Sequence, residues 1–287
     1  MILRLQYKDI PTTLKLLPKE GVTIYDCEVL QSLKIDESST HKTKTHWEIS
    51  IEYSENVERG IFYSVKFSNP IYNDKPGYNK NEWIYARIFS IFKYLEVSID
   101  NFGAVFSVLN KEKVFNEWEK AKKHIQSIYK DKKVDNLIKK VEKETLQNID
   151  TVIRRDPLFS FLFNDLYQDY GTSKKITTQK ELTGHFGSVG YPVSEIKSLK
   201  PANDNDRLAL VDIKTELDLT NWPTKDINEY LGSLLGDKPA SNYEYNRNGH
   251  YLLNFNESKI VEARLTIQGQ VSGMYSKTTK YKLKQKP

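Results

Sequence analysis

The sequence predicts an α+β protein, with antiparallel β-sheets in two β-rich halves, helices packed on them, and a three-helix segment between the halves. Three observations lead to this prediction. Before residue 110, apolar and polar residues alternate in several stretches, which is the period of half-buried strands. Between residues 111 and 170 the apolar spacing changes to that of helices, and strand alternation returns after residue 207.

The clearest strand of the first half is THWEISIEY, which places Trp47, Ile49, Ile51 and Tyr53 on one face. GIFYSVKFS alternates in the same way after a short polar break, so the two stretches predict a hairpin. VTIYDCEVLQSLKI is a third strand ahead of them. NEWIYARIFSIFK combines helical spacing with strand-forming residues, and we interpret it as a short helix.

A second hairpin is predicted in KYLEVSIDNFGAVFSVLN, where two apolar runs flank Asp100, Asn101, Phe102 and Gly103. An acid, an amide and a glycine at the tip of two strands are also typical of an active-site loop. Nothing adjacent supplies a base, a phosphate cradle or a metal partner. Because Asp100 and Asn101 can bond their own backbone and Gly103 suits a positive φ, we predict a turn that sets strand register.

The helical segment begins with a stripe of apolar residues spaced by four and three, namely Val114, Trp118, Ala121, Ile125 and Ile128. VDNLIKKVEKETLQNIDTVI continues this spacing in a second helix. A third helix is predicted after the N-cap Asp156, with Pro157 at its first position and its end at Gly171. It is apolar nearly all round, which predicts burial on two sides or an interface with a partner.

In the second half, residues 172–206 are rich in turn residues, and PANDNDR is the most linker-like stretch. We therefore predict an N-terminal α+β domain at 1–171, including the helical segment 111–170, and a C-terminal α+β domain at 172–287. RLALVDIKTELDLT predicts a strand and NWPTKDINEYLGSLLG a helix. Asn248 and Gly249 give the strongest hairpin-turn signal, and KIVEARLTIQ and MYSKTTKYKLK complete an antiparallel meander.

Composition and charge indicate the cellular compartment and the kinds of partner to expect. Cys27 is the only cysteine, no apolar run reaches 18 residues, and the opening lacks the features of a leader, which together predict a cytoplasmic protein with no membrane partner. The net charge of +5 arises in residues 273–287, which hold five lysines and no acid. This placement disfavours nucleic acid as a partner. We interpret the tail as an edge strand protected by lysines, with an adhesive strip for an acidic partner as the alternative.

Candidate chemistry is sparse. His46 and Glu48, with His41 nearby, could bind zinc, but their Lys-rich surroundings favour a solvated strand face. The spaced glycines of TGHFGSVGYP lack the Gly-Lys-Ser/Thr ending of a phosphate loop, which favours a flexible connection. Cys27 lies between two acidic residues that raise a thiol pKa, so we interpret it as a core residue. The sequence thus predicts no catalytic, cofactor-binding or metal-ligating residue and no cofactor, and it disfavours an enzyme without excluding one.

We expect a non-catalytic cytoplasmic protein that binds another protein: an adaptor, a chaperone, or an antitoxin-like or immunity protein of a bacterial secretion or competition system. The alternative is a carrier of a small molecule or lipid, with an apolar cavity under a curved antiparallel sheet. An enzyme of unrecognised type is a third, less favoured class. Partner identity and oligomeric state stay open. The residues expected to contact the partner are Phe159, Phe163, Tyr167, Tyr170, Tyr275, Lys277 and Tyr281.

Overall fold

The computed structural model describes residues 10–36, 38–56, 60–73, 78–187, 189–202, 207–236, 242–271 and 273–287. It confirms the predicted α+β class, because these residues contain a twelve-stranded antiparallel sheet and six α-helices. The strands are β1 Gly21–Ile35, β2 His41–Asn56, β3 Gly60–Phe67, β4 Ile71–Tyr72, β5 Tyr94–Ile99, β6 Val105–Val108, β7 Lys175–Leu182, β8 Tyr191–Pro201, β9 Leu208–Leu217, β10 Tyr243–Asn254, β11 Lys259–Val271 and β12 Tyr275–Gln285.

Four of the six helices form the helical segment between β6 and β7. A π-helical turn at Val141–Leu146 and the non-helical backbone of Asn148 divide the second predicted helix into two. Single 3-10 turns occur at Ser90–Phe92 and Leu219–Asn221. The helices are α1 Lys80–Phe89, α2 Lys111–Ile128, α3 Lys132–Lys140, α4 Ile149–Arg155, α5 Pro157–Leu162 and α6 Thr224–Leu235. Among the described residues, none of the helices has both the length and the apolar character that a membrane span needs.

The third predicted helix begins as expected but is shorter than the sequence indicated. Asp156 caps α5 by accepting hydrogen bonds from two backbone N–H groups of its first turn, at 2.8 and 3.1 Å. The helix ends at Leu162, so the predicted end at Gly171 was wrong. Beyond the helix, the backbone of Asp169 forms a β-bridge to Thr13.

The hydrogen-bonded order of the strands is β6-β5-β3-β2-β1-β12-β11-β10-β9-β8-β7, and β4 pairs with β2. β12 therefore has a strand on each side, and the prediction of a lysine-protected edge strand was wrong. Lys280, Lys282 and Lys284 are exposed because they cover a face of the sheet, while Tyr281 and Leu283 between them are buried on the opposite face.

The described chain groups into two compact units that interleave in sequence. The N-terminal unit is built from 20–30, 43–164 and 286–287, and the C-terminal unit from 1–19, 31–42 and 165–285, as far as these are described. The predicted domains 1–171 and 172–287 stay a prediction. Most of the predicted linker PANDNDR, residues 203–206, lies outside the described residues.

In the N-terminal unit, one face of the sheet packs against helices, as the alternation predicts. The ring of Phe67 makes edge contacts with Phe89 of α1 at 5.3 Å and with Phe159 of α5 at 5.8 Å between ring centroids. The predicted stripe of α2 is buried except at Ile128, which is 50% exposed at the end of the helix. The other sheet residues buried on this face include Ile49, Val65, Leu95 and Val97.

The loop at Asp100 is a turn, as predicted. The Oδ1 atom of Asp100 accepts hydrogen bonds from the backbone N–H groups of Phe102 and Ala104, both at 2.9 Å. Gly103 has a φ of 91°. The carboxylate thus stabilises its own turn, and the hairpin between β5 and β6 follows from local hydrogen bonding.

In the C-terminal unit, the predicted hairpin turn at Asn248 and Gly249 was wrong. β10 runs through both residues, and Gly249 pairs with Ile213 of β9 and Leu265 of β11. A Cβ atom at Gly249 would lie 2.2 Å from the backbone oxygen of Arg264. Glycine is therefore needed here for a close approach of strands and not for a turn.

Candidate functional site

The candidate site lies on the inner face of the C-terminal sheet, which we define as the face of β7–β12 that bears Glu195 and Lys197 of β8. Side chains of β8 alternate between buried and half-buried from Tyr191 to Leu199. Glu195 and Lys197 are both 0% exposed. Burying a charged group costs free energy unless the group is paired with an opposite charge. The stability of this face therefore depends on the groups that pair with Glu195 and Lys197.

A row of polar side chains crosses the inner face. Glu195 of β8 and Arg247 of β10 both pair in register with Thr215 of β9, one from each side. Thr178 of β7 lies opposite Glu195, and Ile267 of β11 lies opposite Arg247. Neighbouring strands lie about 4.8 Å apart, so the long side chain of Arg247 can reach across β9 to Glu195.

Five charged groups meet at this row, and we call them the buried ionic cluster: Asp165, Lys180, Glu195, Lys197 and Arg247. The guanidinium of Arg247 pairs with the carboxylate of Glu195. The Oε1 atom of Glu195 lies 2.7 Å from Lys180 Nζ and 3.1 Å from Lys197 Nζ. Asp165 Oδ1 also pairs with Lys180, and it lies 2.7 Å from Lys197 Nζ. Each carboxylate therefore forms ion pairs with at least two cationic side chains.

Burial and charge set the protonation of this cluster. Burial lowers the pKa of Lys197, and the nearby charge of Lys180 lowers it further, to about 7. Burial acts to raise the pKa of Asp165, but Lys180 and Lys197 together outweigh it, so the pKa of this carboxyl is lowered. Asp165 is thus ionised at neutral pH, and three basic groups face two acidic ones.

Lys277 is a further cation on the inner face, on β12. It pairs on β12 with Gly269, which pairs with Tyr245, so it lies two strands and one row away from Arg247. Its Nζ atom donates to the backbone oxygen of Gly184. Burial lowers the pKa of Lys277. Within the described part of the chain, Lys277 has no carboxylate partner.

His185 is buried against the same face. Its Nε2 atom lies 3.3 Å from the backbone oxygen of Ile267, and its ring meets Tyr245 edge-on at 5.9 Å between centroids. Burial and then the charge of Lys277 lower the pKa of His185 to about 3. The ring is therefore neutral, with Nε2 as the hydrogen-bond donor and Nδ1 left as an acceptor.

Two buried hydroxyl groups next to the cluster, those of Thr178 and Thr215, have no hydrogen bond among the described residues. The rings of Tyr191 and Tyr245 lie 5.1 Å apart, and their hydroxyls interact with each other. Burial is the main cause that raises the pKa of both hydroxyls. Buried polar groups in folded proteins are nearly always satisfied, either by protein groups or by ordered water.

An aromatic cluster adjoins the ionic one at the ends of the same strands. The loop that carries His185 also places Phe186 in this cluster, and Ile227 and Leu231 of α6 are buried against it. Tyr230 of α6 packs directly on Gly187, where a Cβ would lie 2.7 Å from the ring. The aromatic cluster comprises Phe186, Tyr191, Trp222, Tyr243, Tyr245 and Tyr275.

A groove of about 570 Å³ is lined largely by residues of the opposite face of this sheet. Its outward side chains include Asn246 and Asn248 of β10 and Gln268 and Gln270 of β11. Leu217, Leu219 and Tyr243 also line the groove, so it exposes apolar as well as polar surface.

The seven residues predicted to contact a partner are scattered. Phe159 and Phe163 are buried in the N-terminal unit, and Tyr170 and Tyr281 are buried in the C-terminal unit. Tyr167 is half-buried and donates to a backbone oxygen at 2.7 Å. Tyr275 and Lys277 border the site described above. Contact of these seven with a partner stays a prediction, and it would require exposing side chains that the chain itself buries.

Sequence reasoning missed every member of the buried ionic cluster. A signal was present in YEYNRNGHYLLNF, where Arg247 falls in the alternating positions occupied by Tyr243, Tyr245 and Tyr251. A lone cation on an otherwise aromatic strand face indicates a buried charge that needs a partner. Cys27 is buried as predicted, and burial followed by the charge of Glu28 raises the pKa of its thiol to about 12.

No family model matches this sequence, and no curated protein matches it. Among solved structures, lipovitellin, described for its lipid–protein interactions, matches with a TM-score of 0.54 and 11% identity over 95% of this chain and 25% of that one. The chain thus shares the fold of about a quarter of that protein. DynF of the dynemicin pathway of Micromonospora chersina matches at a TM-score of 0.22 and 4% identity, covering 97% of this chain and 86% of its own. A LolA superfamily protein from Nitrosomonas europaea matches at 0.20 and 7%, covering 95% and 90%. TM-scores this low do not establish a shared fold.

Proposed function

We propose that this protein is a non-catalytic carrier of an apolar ligand, a lipid or a lipid-like small molecule. The observation that supports this most is the fold, since the antiparallel sheet is matched over 95% of the chain by lipovitellin, a protein described for its lipid–protein interactions. Of the classes that the sequence leaves open, the apolar-ligand carrier accounts for this architecture better than the protein-binding module does.

The aromatic cluster of the C-terminal unit is the surface on which we expect the ligand to lie. Aromatic rings offer large apolar area, and ligand sites are usually apolar with a few placed polar groups. The apolar side of α6 covers this cluster through Ile227 and Leu231. Since Tyr230 touches the loop at Gly187, α6 and that loop together close the inner face on this side. We expect the ligand to enter by displacement of α6 from the loop.

Titration with a neutral fluorescent probe tests this proposal. The protein should bind the probe saturably, and Trp222→Ala should weaken binding several-fold because it removes an aromatic wall of the cluster. Leu219→Ser is the matched control, since Leu219 lies three residues earlier and is 65% exposed. Circular dichroism checks that both variants fold. Absence of saturable binding, or equal loss in the two variants, would contradict the proposal.

Binding of another protein is the second candidate, and exposed aromatic side chains at the β5–β6 hairpin favour it. Phe106 of β6 is 65% exposed and Phe102 of the turn is 51% exposed. Exposed aromatic residues are typical anchors of interfaces. The backbone N–H of Val108 donates to Asp150 of α4 at 2.8 Å, so this part of β6 is already covered and we expect contact through the rings. A partner captured by the wild type and lost in Phe106→Ser, with Phe115→Ser retaining it, would support this candidate.

A further inference from the structure

The groove on the opposite face of the C-terminal sheet has a volume of about 570 Å³ and is rich in side-chain amides. This volume falls within the range of about 300–1,000 Å³ that is usual for small-molecule sites. We call it the amide groove, after the four residues whose amides line it: Asn246 and Asn248 of β10 and Gln268 and Gln270 of β11. It is therefore large enough for a ligand and offers mainly one kind of polar group.

The strand register places these amides side by side. Asn246 pairs directly with Gln268, and Gln270 lies two residues further along β11. Side chains directly opposite each other on neighbouring strands have Cβ atoms about 5 Å apart, and residues two apart along a strand are separated by about 6.7 Å. Asn246, Asn248 and Gln268 are exposed. The amides therefore form a compact array that a ligand can reach from solvent.

Hydrogen bonds within the groove orient part of this array. The Nε2 atom of Gln268 donates to the Oε1 atom of Gln270 at 3.4 Å, and the Nε2 atom of Gln270 donates to the carboxylate of Glu244. Each amide nitrogen has a second N–H, so both glutamines keep a donor for a ligand. An amide also holds an acceptor beside its donor, so one side chain can bond two adjacent hydroxyl groups. Adjacent hydroxyl groups are characteristic of sugars.

The charges that line the groove favour a neutral ligand. One cation, Lys214, stands against two carboxylates, Glu216 and Glu244. The Nζ atom of Lys214 lies 2.9 Å from the Oε1 atom of Glu216, and Glu244 accepts from Gln270. A phosphate or carboxylate ligand would bring further negative charge to a groove whose lysine is already paired. This lining also disfavours nucleic acid, whose binding depends on cations.

Apolar side chains give the groove a second kind of surface. Leu217, Leu219 and Tyr243 line it, and Leu219 is 65% exposed. A sugar ring has an apolar C–H face that such side chains can cover, while its edge carries the hydroxyls that amides bond. β10 has β9 on one side and β11 on the other, so an extended peptide has no free strand edge to pair with here. The lining thus suits a sugar better than a peptide.

We propose that the amide groove binds a neutral oligosaccharide. The amides of Asn246 and Asn248 bond adjacent hydroxyls of a sugar ring, and the free N–H groups of Gln268 and Gln270 bond the next ring along the groove. The apolar face of the sugar packs against the leucines and Tyr243 at the end of the groove. This inference goes beyond the proposed carrier function, because the groove is lined largely by the face of the sheet opposite the inner face.

Isothermal titration calorimetry of the full chain with maltotriose, cellotriose and triacetylchitotriose tests this inference. At least one of these neutral trisaccharides should bind saturably, and the anionic trigalacturonate should bind more weakly. Asn246→Ala should weaken binding about tenfold, because it removes both a donor and an acceptor. Gln179→Ala is the matched control, since it removes an exposed amide from β7, outside the groove. Circular dichroism checks that both variants fold.

The outcomes separate this inference from the proposed function. Absence of saturable binding by all three neutral trisaccharides overturns the oligosaccharide site, and so does equal affinity in Asn246→Ala and the wild type. Trigalacturonate binding more tightly than the neutral trisaccharides overturns it in favour of an anion site. Asn246→Ala should bind the neutral fluorescent probe as the wild type does, since Asn246 is exposed on the opposite face from the aromatic cluster. Loss of probe binding in this variant would show that the two sites are not separate and overturn the inference.

Discussion

Glu195 and Arg247 form an ion pair across an intervening strand, with both residues in register with Thr215 of β9. Neither residue is more than 1% exposed. A buried pair of this kind is stable only when further partners satisfy its remaining hydrogen bonds, and Lys180 and Lys197 do so for Glu195. The pair therefore depends on residues contributed by β7, β8 and β10.

Glu195→Gln should reduce the free energy of unfolding by about 3–5 kcal/mol, because it leaves three buried cations with Asp165 as their remaining carboxylate. Urea denaturation measures the change. The matched control is Glu216→Gln, which removes an exposed pair with Lys214 at 2.9 Å and should cost less than about 1 kcal/mol. Similar losses in the two variants would contradict the account of the cluster.

The stability of the protein should rise with pH above neutrality because of Lys197. Its pKa is about 7 in the folded chain, against an ordinary value of 10.5, so between these values the unfolded chain binds more protons. Below pH 7 both states are protonated and the full penalty of burying the charge applies. Lys180 and Lys277, whose pKa values are also lowered, add to the same trend.

Chemical denaturation at pH 7 and pH 9 measures this trend in the wild type and in Lys197→Met. The slope from one such group is at most about 1.4 kcal/mol per pH unit, and Lys197→Met should lose that part of it. Lys214→Met, which removes an exposed amine from β9, is the control and should keep the wild-type slope. If the dependence of stability on pH were the same in Lys197→Met as in the wild type, the Lys197 amine would have the ordinary pKa of a solvated lysine, and the account would be contradicted.

His185 should remain neutral through the acidic range. Burial and Lys277 hold its pKa at about 3, below the ordinary histidine value of 6.5. Its ring signals in nuclear magnetic resonance should therefore be constant from pH 8 to pH 5. Since the unfolded ring gains a proton below pH 6.5, this group lowers stability progressively as the pH falls from 6.5 toward 3. An inflection in its chemical shift between pH 5 and pH 7 would contradict its burial beside Lys277.

Gly249→Ala should destabilise the C-terminal sheet by more than about 2 kcal/mol, because the new Cβ would overlap the backbone of β11. A backbone atom cannot move aside without disturbing the strand pairing. Gly232→Ala is the matched control, since Gly232 lies in α6 and a Cβ added there would meet no atom within 4 Å. That variant should gain up to about 1 kcal/mol from helix propensity. Thermal denaturation that ranks the two variants in the reverse order would refute the close approach.

The sequence predicts some strands of this structure better than others, because the accuracy depends on which side chains each strand buries. The first half was predicted well because Trp47 and Ile49 of β2 face helices while their neighbours face water, which produces clean alternation. β7 and β8 were missed because Lys180, Glu195 and Lys197 occupy their inner positions and erase that alternation. Their partners, Asp165 and Arg247, come from distant parts of the chain, so no local pattern could indicate that these charges are paired.

The same reasoning explains the error at Gly249. Asn-Gly is a strong turn signal because glycine tolerates a positive φ. In this sheet the glycine is instead required by the approach of β11, which is a tertiary contact. The sequence distinguishes these two uses only through the residues that surround them, and the tyrosines on both sides of Gly249 already favoured a continuous strand.

Native mass spectrometry of the purified full chain, with solvent extraction of any retained molecule, tests the central claim most directly. The carrier account predicts a mass above that of the polypeptide by the mass of an apolar or amphipathic molecule, or saturable uptake of such a molecule when lipid is supplied. Trp222→Ala should reduce the retained fraction, and Leu219→Ser should not. A polypeptide that stays ligand-free, takes up no lipid and instead retains a second protein chain would contradict the carrier function and support the protein-binding alternative.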